Sequence, residues 1–150
     1  MNKDMFRILN KVIATGFFSG YLPVAPGTWG SLLALILIIF FPGLLTIPVL
    51  LLTIVTGITV ASLEENFTGI KDKPSIVIDE ITGIFITFTG VEINWWVLLA
   101  GFILFRFFDI FKPFPINRSQ NLPSGLGIMM DDILAGLLSM SIIKLVFIFI

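Results

Sequence analysis

Two acidic pairs, Asp79-Glu80 and Asp131-Asp132, and a charged triplet, Arg106, Asp109 and Lys112, stand inside or at the ends of otherwise apolar runs. Ionisable groups in such surroundings are costly and are functional candidates by default. Carboxylates gathered at one level repel one another unless a cation sits among them. An all-oxygen donor set favours Mg2+, Mn2+ or Ca2+, and Mg2+ usually shares its shell between one or two carboxylates, waters and phosphate oxygens. Arg106 and Lys112 are suited to holding phosphate oxygens, the arginine bidentately. This inventory fits phosphate monoester hydrolysis: a metal and cationic side chains stabilise the transferring phosphoryl group while a carboxylate or metal-bound hydroxide activates water. Plainer roles stand beside these. Asp131-Asp132 in a first helical turn would cap it in the field of the helix dipole. Arg106 and Asp109, three apart, would pair along one helix face, and Lys112, before Pro113, would neutralise terminal carbonyls.

A further candidate is the stretch Pro23-x-x-Pro26-Gly27-Thr28-x-Gly30-Ser31. It sets Thr28 and Ser31 where an apolar run begins, and helix N-termini bind phosphate through free N–H groups. A Pro/Gly turn with an N-cap is the simpler account. The chain has no Cys and no His, which removes disulfides, thiolate metal sites, Ser-His-Asp triads and histidine phospho-intermediates. A net charge of −1 leaves no electrostatic footprint for nucleic acid.

The elements that position these groups are membrane segments. Hydrophobic residues make up 57% of the chain and charged ones only 13%, with mean hydropathy +1.06. Ordinary soluble domains carry about 25% charge, and charge is what a lipid-facing surface cannot bear. The pattern predicts an all-α integral membrane bundle of about four to five helices, a single domain over residues 1–150. Apolar runs cover Leu32–Phe41, Leu44–Leu63, Ser75–Thr89, Trp95–Phe111 and Ile128–Ile150. The first and third are short for spanning and are expected to be tilted, re-entrant or buried in the bundle. Before them, Met5 to about Phe17 places Phe6, Leu9 and Ile13 on one stripe and Lys3, Arg7 and Lys11 on another face. That reads as an amphipathic interfacial helix or as a helix packed on the bundle.

With the N-terminus in the cytoplasm and all five runs crossing, Lys3, Arg7, Lys11, Lys71, Lys73, Lys112 and Arg118 fall on the cytoplasmic side. That is a positive-inside arrangement. It also carries Thr28, Ser31, Asp79, Glu80, Arg106, Asp109, Asp131 and Asp132 to one layer at headgroup depth.

Four blocks then resemble the phosphatidylglycerophosphatase A family. They are Gly16-Phe-x-Ser19-Gly20-x-x-Pro23-x-x-Pro26-Gly27-Thr28-x-Gly30-Ser31, Ser75-Ile-Val77-x-Asp79-Glu80-x-x-Gly83, Phe105-Arg106-x-x-Asp109-x-x-Lys112-Pro113-x-Pro115-Ile116, and Gly125-x-Gly127-Ile128-Met129-x-Asp131-Asp132-x-x-Ala135-Gly136. The chain departs from the family pattern at Phe18 and Ser124, where glycines are common. The resemblance implies Mg2+-dependent conversion of phosphatidylglycerophosphate to phosphatidylglycerol at the cytoplasmic face of a bacterial inner membrane. It implies catalytic roles for Asp79, Glu80, Asp109, Asp131 and Asp132, with metal held among Asp79, Glu80, Asp131 and Asp132. Thr28, Ser31, Arg106 and Lys112 are the expected substrate contacts. A cation transporter would need polar residues reaching both faces, whereas the opposite halves of the runs are apolar. A CDP-alcohol phosphotransferase would show a ladder of spaced Asp residues that is absent.

Overall fold

The computed structural model describes residues 2–119 and 121–147, and these form seven helices and no strand. Helix α1 spans Lys3–Ala14, α2 Pro26–Phe40, α3 Ile47–Thr68, α4 Ile78–Phe88, α5 Trp95–Phe111, α6 Ile116–Ser119 and α7 Ser124–Phe147. Residues 148–150 of the predicted closing run lie outside the described residues.

Local chemistry sets the boundaries. Pro26 opens α2 at N1, where its missing N–H costs nothing. Asn94 caps α5 by accepting from Val97 N at 3.0 Å. Gly69 ends α3 with φ 68°, the left-handed conformation that glycine adopts freely.

Helix α2 begins at Pro26, ahead of the run from Leu32, the short α6 falls between predicted runs, and two further boundaries bear on the charged residues. Helix α7 begins at Ser124, inside what reads as a loop, so Asp131 and Asp132 lie two turns into it rather than in its first turn. The dipole account of that pair fails, because the effect fades within the first turn. Helix α3 runs on through Glu64 and Glu65 to Thr68, although that stretch reads as a polar link.

The short helix α4 is the centre of the bundle. Every residue from Ile78 to Phe88 is buried except Glu80, which is partly so. Helices α2, α3, α5 and α7 pack around it. At 11 residues it is about 16 Å long, far short of a hydrocarbon core of about 30 Å. Burial within the bundle is therefore the outcome for this run. Thr82 and Thr87 survive there because their hydroxyls donate to the carbonyls of Ile78 and Gly83 at 2.8 and 2.9 Å. Close approach to α7 depends on two glycines: a Cβ on Gly136 would stand 2.5 Å from the Gly83 carbonyl oxygen.

Among the described residues α3 and α7 are long and apolar enough to cross a membrane. Exposed Leu51, Leu52 and Val55 on α3, Ile36 and Ile39 on α2, and Leu99, Ile103 and Phe107 on α5 form an outward apolar surface. A soluble protein rarely leaves so much uncovered, and the chain is membrane-associated. Trp95 and Trp96, both 76% exposed at the start of α5, suit the aromatic belt at one interface. Helices α2, α4 and α7 begin at the other end, where α3 and α5 finish.

Candidate active site

The site lies at that second end. Asp79 and Glu80 occupy the first turn of α4, and Asp132 faces them from α7. One carboxylate oxygen from each of the three lies within 4.8 Å of the other two. Asp79 Oδ1 and Glu80 Oε2 are buried and have no hydrogen-bond partner. Unpaired buried carboxylate oxygens are expensive. Three converging hard donors with two free oxygens fit a divalent cation.

Two cations flank the trio from the end of α5. Arg106 donates to Asp109 Oδ2 at 2.5 Å, one turn on. Lys112 donates to Asp131 Oδ2 and lies 4.0 Å from Asp109 Oδ1. Asp109 thus stands between both cations, and Asp131 faces Lys112, outside the trio. Burial alone would lower the Lys112 pKa. The hydrogen bond to Asp131 and the fields of Asp131, Asp132 and Asp109 outweigh it and hold the ammonium above its ordinary value.

The first turn of α2 closes the arrangement. A Cβ on Gly27 would lie 2.1 Å from Glu80 Oε1 and 3.2 Å from an Arg106 guanidinium nitrogen. Only glycine lets this backbone come so near the charged groups. Val24 and Ala25, just before it, hold φ of 59° and 57°. For a β-branched residue such as Val24 this is a genuine outlier, and strain of this kind gathers at ligand-binding turns. Thr28 is partly buried here. Ser31 is fully buried and donates to the Gly27 carbonyl at 2.8 Å, so its hydroxyl supports the turn from within.

Asp72 carries no functional signal in the sequence, because between Lys71 and Lys73 it looks like solvated surface. With Lys71, Gly127 and Ile128 it lines a cavity of about 270 Å³, and Gly127 is one turn before Asp131. Although its side chain reaches solvent, Asp72 has a raised pKa through partial desolvation and the charges of Asp131 and Asp109, against the opposing pull of Lys112 and Lys71. Gly27 was visible in the motif, but its contact with Glu80 had no sequence signal.

The phosphatidylglycerophosphatase A family profile matches residues 12–147. The chain belongs to the phosphatidylglycerophosphatase A family. It is 40% identical over 144 residues to Phosphatidylglycerophosphatase A of Haemophilus influenzae, covering 91% of this chain and 88% of the relative. Similarity to Phosphatidylglycerophosphatase A of Escherichia coli K12 is 40% over 137 residues, covering 88% and 80%. A Bacteroides thetaiotaomicron protein provisionally named a phosphatidylinositol-3-phosphatase is 41% identical over 143 residues, covering 88% and 89%. No solved structure matches significantly. Phe18 and Ser124 are the positions at which the resemblance leads to an expectation of glycine. Both occupy the left-handed region, with φ of 69° and 51°, where glycine carries no steric cost.

Proposed function

We propose that the chain removes the terminal phosphate of phosphatidylglycerophosphate, at the cytoplasmic face of a bacterial inner membrane that it crosses several times, with Mg2+ as the bound cation. The observation that carries the reading is the trio Asp79, Glu80 and Asp132, its oxygens converging beside Arg106 and Lys112 in a chain of this family. In this reading the trio holds the cation. When bound, Mg2+ neutralises phosphoryl charge and lowers the pKa of a water.

The rest of the work falls to the chain's own side chains. Arg106 and Lys112 bind the non-bridging phosphate oxygens, which carry the charge of a loose transition state. Asp109 and Asp131 are positioning residues that hold those cations in place before substrate arrives. The first turn of α2 offers the Gly27 N–H and the Thr28 hydroxyl to the same phosphate, the Thr28 N–H being bonded to Ala25 O at 3.0 Å, with Ser31 bracing the turn. The cavity lined by Lys71 and Asp72 receives the glycerol headgroup. Lipid substrate reaches a site at headgroup depth without leaving the bilayer.

The test is phosphate release by the detergent-purified protein from phosphatidylglycerophosphate, phosphatidic acid and phosphatidylinositol 3-phosphate, each with Mg2+ and with EDTA. Mg2+-dependent release, fastest from phosphatidylglycerophosphate, is expected. Preference for phosphatidylinositol 3-phosphate would move the assignment to the activity in the Bacteroides relative's name. No release from any of them by folded protein would overturn the proposal.

A further inference from the structure

Helix α1 leaves most of its apolar side uncovered, Phe6 at its edge meeting Phe67 with ring centroids 6.2 Å apart. Only Asn10 and Ala14 are buried on it. Asn10 donates to Val60 O and Glu64 Oε2 at 3.2 Å each. At about 100° per residue, Ile8, Val12, Met5, Leu9, Ile13 and Phe6 form a continuous arc of roughly 160°, turned away from the Asn10 side. Met5 is 49%, Ile8 59% and Leu9 47% exposed. Lys3 and Lys11 lie about 60° beyond the two edges of that arc and Arg7 opposite its centre, with Arg7 over the Phe67 ring at 5.1 Å and Lys11 over Tyr21 at 5.0 Å. The helix packs on the last turns of α3, at the same end of the bundle as the acid trio.

An apolar arc with a basic opposite face, held at the end of a membrane bundle, matches a layer that is apolar below and negatively charged above. The helix is also tied to the site. Ala14 O accepts from Val77 N at 2.9 Å, two residues before Asp79. Gly16, which follows, is packed so tightly that a Cβ would meet Ile81 Cδ1 at 2.8 Å.

We propose that α1 docks on the anionic headgroup layer with this arc toward the hydrocarbon and its opposite Lys3, Arg7 and Lys11 face among the headgroups, and that it thereby sets the depth of the Asp79, Glu80 and Asp132 trio. The proposal rests on the membrane reading and not on the identity of the substrate.

Because the chain has no Cys, single labels are unambiguous. Full-length Leu9→Cys, carrying an environment-sensitive fluorophore, is reconstituted in phosphatidylcholine vesicles with and without phosphatidylserine. Nitroxides attached near the headgroups report its depth, and Lys3→Cys is the basic-face control. The Leu9 label is expected to be blue-shifted and quenched, several-fold more strongly with phosphatidylserine. The increment should disappear in high salt and in a Lys3→Gln/Arg7→Gln background, while the Lys3 label stays aqueous. Water-like emission overturns the docking. A blue shift without quenching overturns it too, in favour of a second copy covering the arc. Equal quenching in both vesicle types overturns the anionic preference. For the link to depth, Leu9→Asp should lose several-fold activity in vesicles while staying within about two-fold of wild type in micelles, and unchanged vesicle activity overturns that link.

Discussion

Gly27→Ala adds one methyl group to the first turn of α2, and the geometry says where it goes. The new carbon would stand 2.1 Å from Glu80 Oε1, where ordinary contact begins at 3.4 Å. The oxygen must therefore retreat by about 1.3 Å or the turn must lift, and the Arg106 guanidinium at 3.2 Å limits sideways escape. Glu80 ends in a flexible side chain, so the fold can absorb the methyl group. Alanine is also the better helix former by about 1 kcal/mol. Thermal stability in detergent should consequently stay within about 1 kcal/mol of wild type. The site cannot absorb the shift so cheaply. A misplacement on the order of 1 Å costs on the order of 100-fold in rate. The assay is kcat, KM and the Mg2+ half-saturation for phosphatidylglycerophosphate, alongside a melting curve. A drop in kcat of about that size with an intact melt is expected. Turnover within two-fold of wild type would refute the claim that Glu80's position against the α2 turn matters.

Three further outcomes separate the remaining groups. Asp132→Asn should raise the Mg2+ requirement, whereas Asp131→Asn, which removes the charge that holds Lys112, should chiefly raise KM at saturating Mg2+. Metal and substrate titrations of both variants check this split. Asp72→Asn should melt higher than wild type at neutral pH. Its carboxyl pKa is raised in the folded protein, so stability falls as pH climbs from the ordinary carboxylate range through the raised value. Melting curves across acid to neutral pH should show a steeper decline in wild type than in Asp72→Asn. Ser124→Gly relieves a left-handed residue at a cost in chain entropy, for a net gain of roughly 0.5–1 kcal/mol, read as a higher melting temperature with unchanged kcat.

That the acidic and basic groups share one end of the bundle was legible because charge is so rare in this chain. The alternation of apolar runs with basic links carried Asp79, Arg106, Asp109 and Asp132 to one end before any packing was known. The burial of α4 was legible only as one of several options, since a run of 11 residues cannot show whether lipid or protein surrounds it. What does surround it depends on Gly83, Gly136 and Phe105, which meet only in three dimensions. The start of α7 was misplaced because Gly125 and Gly127 look like a turn. Both glycines lie inside α7 instead, and a Cβ on Gly125 would sit 2.3 Å from Ile58 O. Asp72 escaped notice because its neighbours in sequence are lysines, while those that matter lie on α5 and α7. Adjacent Asp131 and Asp132 meet different partners, Lys112 and the Asp79-Glu80 pair, because they diverge by about 100° on one helix, and which way each points is a tertiary fact.

The most direct test of the central claim, that Asp79, Glu80 and Asp132 hold the cation on which hydrolysis depends, is Mn2+ titration followed by electron paramagnetic resonance. Wild type and Asp79→Asn are compared, with phosphate release from phosphatidylglycerophosphate measured on the same samples. Wild type should bind Mn2+ and turn over, and Asp79→Asn should lose both while remaining folded and membrane-inserted. Full turnover by wild type in EDTA, or Mn2+ binding that Asp79→Asn leaves untouched, would contradict the account.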